Sequence, residues 1–389
     1  MLNLSQASLK WFVIYFLLIV TASIAVRSQV WVEEANGWTL GDWLINYASG
    51  FVRRGLIGSI ILSFSDVTSF SPLRITHVWQ IALYLLAASI FFALIFRRTI
   101  ELWFVLFIFS PATFLFPLLD QQGGGRKEIL YFVLLAAWCL HLDRRENFSL
   151  GARFAFTLVV ALMMLSHDGL LFFIPFFPAA YVISRKIAGQ RIFAGQAIFL
   201  PVTAFLIFVL VAVIGDISES HQKIICDSLT ARGIPNQICG GSITWPQDIR
   251  WNIGYSIANL KVGLLYPLSF FLAVLPIAVM LISNRGSDTV QIRGVFLIPL
   301  FSACILFTIP LYFLGIDFGR WIYVTSMSLM LITIPLLHKA HPKPVTSQHV
   351  RVSITGVLFI GIYASTWAVP HCCGPGLSFG GGLLGRILQ

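Results

Sequence analysis

Seven long stretches of this chain carry no charge: Trp11–Val26, Val78–Phe96, Leu102–Leu119, Phe193–Ile214, Val262–Ile282, Val295–Leu314 and Trp321–Leu337. A helix crosses the hydrocarbon of a bilayer with about 20 apolar residues. Only helices and closed barrels satisfy their backbone in lipid, and these runs are too long and too uniformly apolar for barrel strands. Shorter apolar stretches lie at Ile129–Leu142, Phe154–Ser166, Leu170–Ser184 and Val352–Val369. The pattern predicts an all-α, polytopic transmembrane bundle of about ten or eleven spans in a single domain, residues 1–389. Composition agrees: 11% of residues are charged, where a soluble domain has about 25%. The first span is long, and no small-x-small cleavage site followed by a soluble domain marks it as a cleaved signal, so it reads as a retained helix.

The net charge of +10 fits cytoplasmic anchors and sites for anionic lipid or phosphate. No basic face interleaved with aromatics lies outside the apolar runs, so nucleic acid is not an expected partner. With the amino terminus inside, beside Lys10, the short even-numbered loops hold Arg97–Arg98, Arg144–Arg145, Arg185–Lys186 with Arg191, Arg285 with Arg293, and Lys339 with Lys343 and Arg351. Basic residues near helix ends set orientation in this way. Only Glu101, Asp143, Glu146 and Asp288 of the acids then fall inside. The other acids gather on the outer face, next to basic residues, which hints at a polar site there.

Two long outer loops result from this topology, residues 27–77 and 215–254. In the first, Phe51–Phe64 is short for a crossing and charged at one end, so it is expected to lie on the membrane surface. In the second, Cys226 and Cys239 stand 13 apart; an oxidising exterior would let them pair, and free thiols are the alternative. Cys372–Cys373 reads as free thiols beyond the last span. Cys139 and Cys304 read as apolar fillers. Pro111, Pro117, Pro175, Pro178 and Pro267 are expected to kink or end helices. His338, His341 and His349 read as polar residues of an inner loop.

Four clusters carry chemistry. Gly41–Gly58 places Asp42 ahead of the pair Arg53–Arg54, whose forked guanidiniums suit a phosphate or a lipid headgroup. Asp120–Glu128, DQQGGGRKE, sets three glycines and Arg126–Lys127 at a helix entrance, where free N–H groups would face an anion. It is not a Walker motif, since no Ser or Thr comes after the lysine. Ser166–Asp168 places His167 and Asp168 between two apolar runs, where such groups line cavities. The pair is compatible with a divalent cation, but two ligands do not make a metal site. Asp317–Arg320, DFGRW, pairs an acid and a base three residues apart, either with each other or around an anionic substrate.

This layout resembles the GT-C superfamily of integral membrane glycosyltransferases, which use polyprenyl-phosphate-linked sugars on the outer face. The resemblance rests on architecture along the whole chain: an acid in the loop after the first span (Asp42, or Glu33 or Glu34) and Phe51–Phe64 as surface helix. The chain departs from many members in lacking a large carboxy-terminal soluble domain and a paired-acid motif in that loop. The resemblance implies transfer of a sugar from a polyprenyl-linked donor to a glycan, lipid or protein acceptor, at a bacterial cytoplasmic membrane with its active face periplasmic or extracellular. Asp42, Glu34, Asp120 and Asp168 are then candidate catalytic acids. Arg53, Arg54, Arg126, Lys127 and Arg320 would hold the phosphate, and His167, Asp317, Tyr47 and Gly124 would line the substrate site. Membrane lipids would be the remaining partner. An outer-face polysaccharide or O-antigen-type polymerase shares the layout. A transporter or flippase of lipid-linked glycans would need polar residues deep within spans, and the spans are nearly all apolar. A non-catalytic assembly subunit is the other rival.

Overall fold

The computed structural model describes residues 2–145, 148–215, 217–245, 249–259, 261, 263–283, 288–337, 349–352 and 354–388. Its one sheet is a two-stranded antiparallel pair, β1 (Leu2–Ser5) with β2 (His349–Val352), in register Leu2 opposite Val352. The other elements are helical. In chain order come α1 (Gln6–Glu34), α2 (Gly41–Leu44), α3 (Gly55–Thr68), α4 (Pro72–Phe96), α5 (Leu102–Ile108), α6 (Phe116–Leu119), α7 (Gln121–Gly124), α8 (Glu128–Arg144), α9 (Leu150–Ser166) and α10 (Phe176–Ile187). After them come α11 (Ala194–Ile214), α12 (Glu219–Thr230), α13 (Ile249–Asn259), α14 (Tyr266–Ser283), α15 (Asp288–Thr308), α16 (Leu311–Leu314), α17 (Phe318–Thr333), α18 (Ile354–Ser365) and α19 (Leu383–Leu388).

Among the described residues five helices are long and apolar enough to cross a membrane: α1, α4, α11, Phe296–Leu314, and Asp168–Ile187, where a 3-10 turn runs into α10. Gly55–Thr68, Leu150–Ser166, Tyr266–Ile282 and Thr355–Ser365 are shorter apolar helices beside them. The chain is thus an all-α polytopic bundle. Its outside suits lipid. On α11, Ile198, Val202, Phe205, Leu206, Val209 and Val213 are all exposed, a continuous apolar surface that water would penalise.

The middle of the bundle is α8, α10 and α17. Every residue of α17 is buried, against α8, α10, α14 and α5. Its hydroxyls are satisfied within the helix or by neighbours, as buried polar groups require. Thr325 Oγ1 donates to Trp321 O at 2.8 Å, Ser328 Oγ to Val324 O at 2.6 Å, and Ser328 Oγ lies 3.0 Å from Tyr131 OH.

The prolines account for the largest departure from expectation. Leu102–Leu119 is not one span. α5 stops at Ile108, a turned stretch carries Pro111, and α6 starts with Pro117 in its first turn. Proline lacks the N–H that would continue the ladder. The first long loop is also shorter than expected, because α1 runs on to Glu34 and α4 begins at Pro72. Its helix spans Gly55–Thr68 rather than Phe51–Phe64 and packs on α2, α4 and α9. Arg53–Arg54 therefore lie in the turn ahead of that helix.

α2 and α3 meet with no space between them. A Cβ on Gly58 would stand 2.0 Å from Ile45 O. Gly58→Ala is expected to lower stability by roughly 1–3 kcal/mol, since backbone blocks the added methyl. A fall in melting temperature of the detergent-purified protein checks this; an unchanged value would refute the close approach.

The two long loops form one roof. Ser242 N–H donates to Gly37 O and Ser242 Oγ to Trp38 O, both at 3.0 Å. Gly37 and Gly241 touch so closely that a Cβ on Gly241 would fall 2.3 Å from Gly37 C. Cys226 and Cys239 are disulfide-bonded, tying α12 to the turn beyond it. Cys372 and Cys373, expected as free thiols, are bonded to each other. Cys139 and Cys304 are free and buried. His338 and His341 lie outside the described residues.

Candidate functional site

Beneath the roof lies a cavity of about 410 Å³. Its walls carry members of all four sequence clusters: Arg53 and Arg54, Arg126, Asp168, and Asp317 with Arg320. Trp38 and Trp245 of the roof close one side, and Phe172, Phe208, Leu311 and Leu314 form an apolar flank.

The local backbone explains how the arginines are aimed. Arg54 adopts a left-handed conformation, φ +65°, which a non-glycine residue keeps only when its surroundings impose it. Lys127 Nζ donates to Arg54 O at 3.0 Å, and Arg53 N–H donates to Gly215 O at 2.8 Å, clamping the turn from both sides. Lys127 also donates to Ser166 O at 3.2 Å. It is fully buried and does not line the cavity, so it acts as a brace between the first and third clusters. Burial pushes its ammonium down to about 8, against the pull of Asp42.

The charges interlock. Arg54 Nε lies 2.7 Å from Asp168 Oδ1 and Arg53 Nη1 3.9 Å from Asp168 Oδ2. Arg320 reaches two acids: Nη2 is 3.0 Å from Asp317 Oδ2 and Nε 3.2 Å from Glu128 Oε1. His167 Nε2 is 3.5 Å from the same Glu128 oxygen. Arg320 also lies over the Trp321 ring, 4.5 Å from its centroid. Arg126 differs from the others. It is 6% exposed, donates to Ser242 Oγ at 3.0 Å and Gln122 O at 2.9 Å, and lies 5.7 Å from the Trp38 ring. No carboxylate stands at ion-pair distance from it among the described residues.

Asp42 is buried behind this wall and does not line the cavity. Burial opposes its ionisation, but the charges of Lys127, His167, Arg126 and Arg54 outweigh that and hold its carboxyl well below the usual range. Its position makes it a counter-ion to the cationic wall. Glu34 is exposed at the end of α1, away from the cavity. Tyr47 is half-buried and packs over Gly55 and Phe51, also off the cavity.

The glycine turn does different work from that expected. Gly123 N–H is taken by Asp120 Oδ1 at 2.8 Å and Gly124 N–H by Asp120 O at 3.0 Å, so these two amides are not open to an anion. Tyr84 OH donates to Gly124 O, and Trp43 and Gln80 both donate to Gly125 O at 2.9 Å. The glycines permit contact: a Cβ on Gly124 would lie 2.5 Å from Pro117 Cα. The turn holds Arg126 at the cavity wall.

Asp120 is engaged by a residue that sequence reasoning missed. His371 Nδ1 lies 2.8 Å from Asp120 Oδ1, and His371 N–H donates to Asp120 Oδ2 at 2.7 Å. Burial opposes ionisation of Asp120, and the His371 bonds hold its carboxyl below the usual range. Gly319 N–H donates to His371 O at 3.0 Å, bringing the segment after α18 into the site. The motif His371–Cys372–Cys373 was the available signal. Ser256 and Trp321 also line the cavity, and Ser256 Oγ and Trp321 Nε1 are buried without a hydrogen-bond partner among the described residues; no sequence pattern marked them.

The arrangement can bind an anion at Arg126, present two carboxylates, and accept an apolar chain along its flank. No curated protein and no solved structure matches the chain. A family described as uncharacterised membrane protein Rv1490 matches residues 11–258, more than half of the 389. The chain is an integral membrane protein and belongs to that family.

Proposed function

We propose that this protein is a membrane glycosyltransferase of GT-C type, taking its sugar from a polyprenyl-phosphate donor at the outer face of a bacterial cytoplasmic membrane. The observation that carries the reading is Arg126: a buried guanidinium in a cavity wall, without a carboxylate at ion-pair distance among the described residues, next to an apolar flank. A lipid phosphate supplies both complements, an anion for Arg126 and a hydrocarbon chain for Phe172, Phe208, Leu311 and Leu314.

In this mechanism the acceptor hydroxyl oxygen attacks the anomeric carbon. The bond from that carbon to the phosphate oxygen breaks, and polyprenyl phosphate leaves with the electron pair. Arg126 and Arg320 stabilise the charge that develops on it. The hydroxyl proton goes to a carboxylate. Asp168 has both oxygens facing arginines, whereas Asp317 has one oxygen on Arg320 and is a quarter exposed. Asp317 is therefore assigned as base, with Asp42 behind it as counter-ion.

The test is release of polyprenyl phosphate from a panel of polyprenyl-phosphate sugars by the purified protein in liposomes, with a mixed glycan and lipid acceptor pool. Asp317→Asn is expected to lower transfer about 10²–10⁴-fold while polyprenyl phosphate still binds. Binding of the lipid phosphate with no transfer from any donor would overturn the enzymatic reading.

A further inference from the structure

At the rim of the cavity the segment after α18 brings three different metal-ligating groups together. Single donor atoms of Asp317, His371 and Cys372 all lie within 4.8 Å of one another. His371 binds Asp120 through Nδ1, which leaves Nε2 as its ligating atom, 3.3 Å from Cys372 Sγ. Nitrogen and sulfur on one tetrahedral zinc stand ~3.5 Å apart, given bonds of about 2.1 and 2.3 Å. The His371–Cys372 spacing therefore already suits a shared ion, with Asp317 close by.

The surroundings are those of a built ligand set. Metal-binding histidines give their other ring nitrogen to a carboxylate, which fixes tautomer and ring orientation. Asp120 does this here, and is itself held by Gly123 N–H and His371 N–H. Asp317 is held by Arg320 Nη2. One carboxylate and one thiolate would balance a divalent charge. All three ligands line the cavity, so a fourth position would open into it, as at a reactive rather than a purely structural site.

The disulfide sets the condition. Cys372 is bonded to Cys373, and only a thiolate is an effective ligand. We propose that reduction of Cys372–Cys373 uncovers a zinc-type divalent cation site made of Asp317, His371 Nε2 and the Cys372 thiolate, with Asp120 as positioning residue. A thiol or phosphine reductant supplies two electrons, water or thiol supplies two protons, and the S–S bond becomes two thiols. Metal binding then releases the Cys372 proton. This inference goes beyond the sugar-transfer reading and does not depend on it.

The probe is Co²⁺ titrated into the full-length protein in detergent, before and after reduction with a phosphine that is then removed. The reduced protein is expected to bind one Co²⁺ with a thiolate-to-cobalt charge-transfer band, and the untreated protein to show none. Cys373→Ser frees Cys372 without any reductant and is expected to give the band directly. Cys372→Ser is expected to abolish it. Asp120→Asn is expected to weaken affinity about 10–100-fold; unchanged affinity would remove Asp120 from the site. A band that survives Cys372→Ser, and so arises from Cys373 or another thiol, overturns the proposal. So does its absence from both the reduced protein and Cys373→Ser.

Discussion

Replacing Arg126 with alanine is expected to lower sugar transfer about 10²–10³-fold, the usual cost of removing one preorganised donor from a developing anion. The protein should stay folded. Arg126 binds only Ser242 Oγ, Gln122 O and the Trp38 face among the described residues, so its loss strands no buried carboxylate. Lysine at this position keeps the charge but not the fork, and should restore a minor part of the rate. The check is polyprenyl phosphate release at saturating donor, beside a melting curve in the same detergent. Wild-type transfer by Arg126→Ala would remove the anion site from the mechanism.

Replacing Glu128 has the opposite signature. Glu128 is 2% exposed and stands between Arg320 and His167. Its removal leaves the Arg320 guanidinium in a buried wall with only Asp317 as counter-charge at ion-pair distance among the described residues. Breaking a buried pair from one side costs about 3–5 kcal/mol. Glu128→Ala is thus expected to lower yield and melting temperature sharply, with activity lost as a consequence. Glu128→Gln keeps the shape and loses only the charge, so its deficit reports the electrostatic part. Stability equal to wild type in Glu128→Ala would show that the network does not depend on this acid.

How far the sequence spoke depended on the kind of signal. Apolar length was direct evidence, because the bilayer imposes it, and α1, α4, α11 and Phe296–Leu314 result from it. The broken segment around Pro111 and Pro117 was legible only as a warning, since proline ends a helix without fixing the direction of the chain beyond it. The polar clusters were legible as clusters: costly side chains flanking apolar runs at 53–54, 126–128, 167–168 and 317–320 share one cavity wall or the charge network behind it. Which of them face the cavity was not legible. Asp42 and Lys127 read like site residues and sit behind the wall, because depth in a packed bundle is set by neighbours far along the chain. His371 lies 251 residues from Asp120, a separation that hides their pairing from local patterns. The glycines showed the same limit. A run of three signals close approach of backbone, and only the fold reveals that the approaching group is Pro117 and not a phosphate.

The helices at the middle of the bundle also bear on what can drive any reaction here. Beyond Arg320, no charged residue occurs in α17 or in the turn that extends it to Leu336, and every residue of α17 is covered. Past Glu128, α8 has no acidic or basic residue before His141 in its last turn, and α10 has none before Arg185. Between the cavity and their far ends these three rods offer an ion no charged side chain. A path for ions along these three helices would therefore lack charged side chains over that stretch among the described residues. The proposed transfer needs no such path, because its free energy is held in the sugar–phosphate bond of the donor.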